Sequence, residues 1–245
     1  MRRVLTLLLT ASVLLSCQSG KKPVGETLDG YWDRHEWHVT EGQVDKAEER
    51  FAAFAELAVA APKEEGIAAL GALLDTLKAK DEVDYYVYVG WVEGAFYNPL
   101  SPCRNFDLFS YAVSRYESDG ILSPDECMPL QQKRRWMGIN LPGEVAVYPE
   151  ADPEGRSTLV LVIDLSCPSC RESLNRLAAL NEWADARHIA ICLGYGNIPD
   201  VPGWEYRSLK NASEWFDIRM TPVYYIIDPA GVVIQTYTSV FNHGL

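Results

Sequence analysis

Apolar residues recur at intervals of three and four from Val44 onward: Val44, Ala47, Phe51, Phe54, Ala55 and Ala58. This spacing predicts an amphipathic helix ending before Pro62. Ile67, Leu70, Leu73, Leu74 and Leu77 predict a second. Asp81 to Phe96, with Val83, Tyr86, Val87 and Trp91, predicts a third, although propensity alone also allows a strand over Tyr85–Val89. Asn98-Pro99-Leu100-Ser101-Pro102 is a break. Phe106, Phe109, Val113 and Tyr116 predict a fourth helix, closed by Asp119-Gly120. Ser123-Pro124-Asp125-Glu126 is a start signal, with Ser as N-cap, Pro at the first position and Glu at the third, for a fifth helix reaching Met137.

The pattern changes after Gly138–Pro142. Val145–Tyr148 reads as a short strand and Asp152-Pro153-Glu154-Gly155 as a turn. A long strand is predicted over 157–165, then a helix from Pro168 to Ala186 on Leu174, Leu177, Ala178 and Leu180. His188–Leu193 is the next strand; unbroken apolar runs of this kind suit a parallel pair buried on both faces. Gly194–Gly203 reads as a loop and Ala212–Ile218 as a short helix capped by Asn211. Strands over 223–227 and 232–237 flank Pro229-Ala230-Gly231 as a hairpin. The expected organisation is α+β or α/β, with an all-helical domain over 27–141 and a mixed sheet flanked by helices over 142–245.

The first residues change the picture of where the chain works. Arg2 and Arg3 precede an apolar stretch, Val4–Leu15, too short to span a bilayer. It ends Leu14-Leu15-Ser16-Cys17, which resembles a bacterial lipobox. That resemblance implies a signal peptide over 1–16, acylation of Cys17 and a polar tether over 17–26. An ordinary signal peptide with a coincidental cysteine is the alternative. Losing Arg2 and Arg3 takes the net charge of −12 to −14. So acidic a chain is unsuited to nucleic acid. Gln18 after the lipobox points, by analogy, to the outer membrane rather than the inner.

Cysteine chemistry then singles out Cys167-Pro168-Ser169-Cys170, where a buried strand turns into a helix. The first cysteine of such a pair meets unpaired helix N–H groups and the positive end of the dipole, which stabilise a thiolate. The second, one turn on, is placed to attack a mixed disulfide and release the partner. Pro168 preorganises the first turn. Zinc sites use the same spacing, so the pair alone is a weak signal. The sequence adds Thr221-Pro222 at the head of a strand that leads into Asp228-Pro229-Ala230-Gly231.

Together these motifs resemble the thioredoxin fold, and more narrowly the membrane-tethered TlpA/ResA-type thiol–disulfide oxidoreductases. The resemblance covers roughly the last hundred residues. It implies that Cys167 attacks, that Cys170 resolves, and that Thr221-Pro222 is a cis-proline loop pairing with the substrate backbone. It also implies no cofactor beyond a Cys167–Cys170 disulfide, and disulfide-bearing envelope proteins and a membrane electron donor as partners. Tyr31-Trp32-Asp33 and Asn140-Leu141-Pro142-Gly143-Glu144-Val145-Ala146 resemble the ends of a helical domain of unknown function that precedes TlpA-like domains in Bacteroidetes lipoproteins. The direction of electron flow is not legible in Pro168-Ser169. Two other readings stand beside the enzyme: a binding or scaffold lipoprotein with a passive disulfide, and a metal-binding cysteine pair.

Several residues depart from the family pattern or carry separate expectations. Ser166 stands where an aromatic residue precedes the first cysteine, and Leu161 where thioredoxin has a buried Asp. Asp164 is a nearby carboxylate that could act as a base, and Arg171 a cation that could fold back on Cys167; a solvated charge is the plainer reading of each. Only eight residues follow the last predicted strand, so the closing helix is expected to be short or missing. Cys103 and Cys127 are candidates for a structural disulfide closing a loop of about 24 residues, contributing about 3 kcal/mol, or for two buried thiols. Cys192 is expected to be buried and inert. The dense aromatics, from Tyr31 to Tyr97, fill a core or line a groove. His35 and His38 are expected on a solvated amphipathic first helix, with no evident further metal ligands.

Overall fold

The computed structural model describes residues 27–178, 183–219 and 221–237. The signal segment 1–16, Cys17, the tether up to residue 26 and the chain after 237, where the closing helix is in question, lie outside the described residues. Two compact units divide the chain, one up to Ile121 and one from Leu122.

The first unit is helical: α1 (Tyr31–Arg34), α2 (Val44–Ala60), α3 (Lys63–Lys80), α4 (Glu82–Val92), which continues as a π-helical segment Glu93–Tyr97, and α5 (Phe106–Asp119). The strand alternative over Tyr85–Val89 is overruled from its start. The Asp81 carboxylate caps α4 by accepting from Val83 N at 2.8 Å and Asp84 N at 3.1 Å. The aromatics form core: Phe51, Tyr88 and Trp91 pack ring on ring, and Phe54, Tyr85 and Phe96 are fully buried. At Gly66 a Cβ would lie 2.5 Å from the Ala58 carbonyl oxygen, so only glycine lets α3 approach α2 there.

The first helix is shorter than its amphipathic pattern suggests. It stops at Arg34, and His38 lies beyond it on non-helical backbone. Side chains of α4 supply the bonds a longer helix would have made: Tyr88 Oη donates to Trp37 O at 2.7 Å, and the buried Asp84 carboxylate accepts from Val39 N at 3.1 Å.

The second unit opens with α6 (Pro124–Met137), started by the expected capping box: Glu126 Oε2 accepts from Ser123 N at 2.7 Å and Ser123 Oγ accepts from Glu126 N at 3.4 Å. The compact division thus falls before this helix rather than in the Gly138–Pro142 break. Asn140, 2% exposed and at φ 54°, binds the joining segment into this unit. Its side chain donates to Trp215 O at 2.8 Å and accepts from Val147 N at 2.9 Å, and its carbonyl accepts from Thr236 Oγ1 at 3.2 Å.

Then follow β1 (Thr158–Asp164), α7 (Pro168–Ala178), β2 (Arg187–Leu193), β3 (Trp204–Arg207), β4 (Val223–Ile227) and β5 (Val233–Tyr237). They form one mixed sheet in the order β3-β2-β1-β4-β5. β1 runs parallel to β2, with Ile163 opposite Cys192, and antiparallel to β4, with Val162 opposite Val223. The continuous apolar run of β1 follows from burial on both faces. Leu159, Leu161 and Ile163 pack with Leu174 and Leu177 of α7, whereas Val160 and Val162 pack with Phe216 and Tyr225.

Three expectations are corrected. Val145–Tyr148 makes only an isolated bridge, Val145 to Val232, because Asn140 takes the Val147 N–H and Pro149 has none to offer. The Ala212–Ile218 helix shrinks to a 3₁₀ turn, Ala212–Glu214, with no side-chain cap from Asn211; Tyr225 Oη accepts the Asp217 N–H at 3.0 Å and ends it. The helix from Pro168 does not run to Ala186, since residues 184 and 185 are turn and residue 186 is a bend. The sequence reading also passed over β3, an edge strand paired on one side only, to β2.

Candidate functional site

β1 ends at Asp164, and the chain turns through Leu165 and Ser166 into α7. The turn is held by Asp164: its Oδ1 accepts from Ser166 N at 2.8 Å and Ser166 Oγ at 2.6 Å, and its carbonyl accepts from Cys167 N at 3.0 Å. Cys167 therefore sits immediately before the first helical residue, Pro168, facing the free N–H groups of the first turn. It is half-buried, while Ser166, Pro168 and Ser169 around it are exposed. Cys170 is 1% exposed and lies in the apolar cluster between α7 and the sheet.

This difference in surroundings separates the two thiols. Slight burial pushes the Cys167 thiol up, but hydrogen bonds from the Ser169 hydroxyl, the Cys170 thiol and the Cys170 and Ser169 N–H groups outweigh it, so its pKa falls below the usual thiol value. The Ser169 Oγ lies 2.9 Å from Cys167 Sγ. Burial, and then the hydrogen bond to Cys167, push the Cys170 thiol up to about 11. One sulfur is poised as a thiolate at the surface and the other held as a thiol beneath it. Both are thiols in this structure.

The Thr221–Pro222 bond is cis. The Thr221 side chain hydrogen-bonds to the Cys170 thiol, so the loop fifty residues away in sequence closes on the pair. Asp164, considered above as a base, accepts both the Ser166 N–H and the Ser166 hydroxyl, and these bonds hold its carboxyl below the usual range. Arg171 is exposed. Ser169 as a thiol partner was not singled out by sequence reasoning; a hydroxyl inside the cysteine motif was its signal.

The remaining candidates lie elsewhere. Cys103 is buried in the first unit and Cys127 in the second. Cys192 is buried on the α7 face of the sheet, and burial raises its pKa, as an inert thiol requires. Among the described residues, the group of side chains that could hold a metal takes in His38: it meets Asp84 at 2.5 Å and Asp81 at 3.9 Å, carboxylates from the start of α4. The His38 Nδ1 lies against the Asp84 carboxylate, and that hydrogen bond raises the His38 pKa.

No family model matches the chain, and no curated protein matches it. Among solved structures it is similar to a thioredoxin-like protein from Bacteroides caccae, with a TM-score of 0.71 and 13% identity over 88% of each chain. A thioredoxin-like protein from Parabacteroides distasonis matches with a TM-score of 0.34 and 18% identity over 41% of this chain and 90% of that one. The chain has a thioredoxin-like fold, preceded by helices.

Proposed function

We propose that this thioredoxin-like chain is an exported thiol–disulfide oxidoreductase, lipid-anchored through Cys17 and facing the periplasm from the outer membrane. The observation that carries the reading is the split pair: a half-exposed Cys167 with a lowered thiol pKa beside a buried Cys170 bonded by Thr221. In the reductive direction the Cys167 thiolate attacks one sulfur of a substrate disulfide. An S–S bond forms to Cys167, the substrate S–S bond breaks, and the leaving thiolate takes a proton from water. Cys170, deprotonated, then attacks the Cys167 sulfur. The Cys167–Cys170 disulfide forms and the second substrate thiolate leaves, so two electrons pass to the substrate. A dithiol donor, a membrane protein in this proposal, returns them. No other cofactor is invoked. Thr221-Pro222 presents the backbone edge on which the substrate chain pairs.

Replacing Cys167 by Ser should abolish reduction of insulin disulfides while leaving the circular dichroism spectrum and melting midpoint near wild type. Unchanged turnover in that variant would rule the enzyme out.

A second reading is a binding or scaffold lipoprotein with a passive cysteine pair. It draws on a cleft of about 640 Å³ in the helical unit, lined by Tyr31, Trp32, Asp33, Glu65 and Ala69 among others. That reading predicts that wild type and Cys167→Ser are equally inert toward disulfides.

A further inference from the structure

His38 has no evident metal-ligand partner in its own stretch of sequence, but α4 brings it two. The spacing Asp81-x-x-Asp84 sets two carboxylates one helical turn apart, and the segment carrying His38 lies against both. Ligand atoms of His38, Asp81 and Asp84 all fall within 4.8 Å of one another. His38 Nδ1 is 2.5 Å from Asp84 Oδ2 and 3.9 Å from Asp81 Oδ2. Atoms that each lie about 2.1 Å from a tetrahedral ion stand about 3.4 Å apart, so shifts of about 1 Å in each side chain admit one.

The three side chains are already positioned. Asp81 caps α4 through Oδ1, which leaves Oδ2 on the His38 side. Asp84 accepts from His38 Nδ1 and Val39 N at Oδ2, and among the described residues its Oδ1 takes no hydrogen bond. Tyr88 Oη donates to Trp37 O at 2.7 Å, so the backbone is held on either side of His38.

An acidic first turn is the ordinary complement of a helix dipole, and capping accounts for Asp81. Neither accounts for Asp84. Its side chain is 4% exposed, and its ion-pair partner among the described residues is an imidazole 48% exposed. A buried carboxylate is costly unless a cation or a metal meets it. Glu36 Oε1, which accepts the His38 N–H at 3.3 Å, adds a third negative charge. Within this group even a protonated His38 leaves two negative charges unbalanced, and a divalent ion removes that excess. The N-terminus of α4 opposes it with only about half an elementary charge.

We propose that His38, Asp81 and Asp84 bind a divalent transition ion of the zinc class, through Nδ1 and one oxygen of each carboxylate, with water in the remaining position. One imidazole nitrogen beside two carboxylates suits zinc; calcium and magnesium take oxygen ligands alone. The ion clips residues 36–39 to the start of α4. The site lies wholly in the first unit, and the inference does not depend on the oxidoreductase reading.

The test is isothermal titration calorimetry of the full chain with zinc chloride. Cys167→Ser and Cys170→Ser are introduced together in the parent so that no thiolate pair competes for the ion. One ion per chain should bind. His38→Gln and Asp81→Asn should each weaken binding at least about ten-fold, and His35→Gln less than about two-fold. His38 is half-exposed and Asn retains the cap on α4, so both variants should keep the parent's circular dichroism spectrum. X-ray absorption at the zinc edge should show one imidazole among oxygen ligands in the parent. Absence of binding in the parent, or unchanged affinity in either His38→Gln or Asp81→Asn, overturns the site.

Discussion

Ser169 shows how much of the reactivity of Cys167 is local. Its hydroxyl stands 2.9 Å from the sulfur and lowers the thiol pKa, as do the first N–H groups of α7. Replacing Ser169 by Ala should raise the Cys167 pKa, seen as an upward move in the midpoint of iodoacetamide alkylation against pH. The hydrogen bond stabilises a species present only in the reduced pair. Its loss therefore makes the disulfide harder to reduce, and the reduction potential should move to more negative values. With Cys170 pushed up to about 11, alkylation near pH 8 should label Cys167 and spare Cys170, which peptide mass spectrometry resolves. An unmoved midpoint in Ser169→Ala would remove the hydroxyl from this account. The motif itself was visible in the sequence. The hydroxyl–sulfur contact was not, because the rotamer of Ser169 is set only once the first turn of α7 exists.

At the scale of elements, the long helices were legible because their signals are local. Spacing of apolar residues, a Ser-Pro-Asp-Glu start and a Gly stop act within one or two turns. β1 and β2 were legible for the same reason, as short unbroken apolar runs. Elements whose bonds come from far away were missed or misjudged. β3 is strand only because Ala190 and its neighbours on β2 offer it a ladder. The segment after Asn211 fails to become a helix because Tyr225 and Asn140 take its backbone groups. Asn140 concentrates this effect, joining the linker, the 3₁₀ segment and β5 from a left-handed backbone that Asn tolerates better than most residues. Asn140→Ala leaves a buried carbonyl and an N–H unpaired and should cost about 2–4 kcal/mol in urea unfolding followed by far-ultraviolet circular dichroism. A loss under about 0.5 kcal/mol would show that water replaces the side chain at little cost.

At the scale of the molecule, the proposed biology depends on a tether and a pair. Among the described residues no helix is long and apolar enough to cross a membrane, so attachment in this proposal rests on Cys17. Cys17→Ser should shift the protein from the membrane pellet to the soluble fraction and end incorporation of labelled palmitate. Retention in the pellet would refute the lipid anchor. The acidic balance of the chain fits a solvated envelope protein and gives no attraction to anionic lipid headgroups.

The amino-acid sequence by itself determined the long helices α2, α3 and α5, the strand–turn–helix that carries Cys167 and Cys170, and the proline loop at Thr221-Pro222, since each is written in contiguous residues whose propensity, period and caps agree. Only the tertiary structure decided that Thr221 reaches Cys170, that Asn140 joins the linker to β5, and that Asp84 receives His38. Those relations depend on which strand pairs with which and on where buried polar groups find partners. Such choices are settled by packing between segments far apart in the chain, where no local pattern records them.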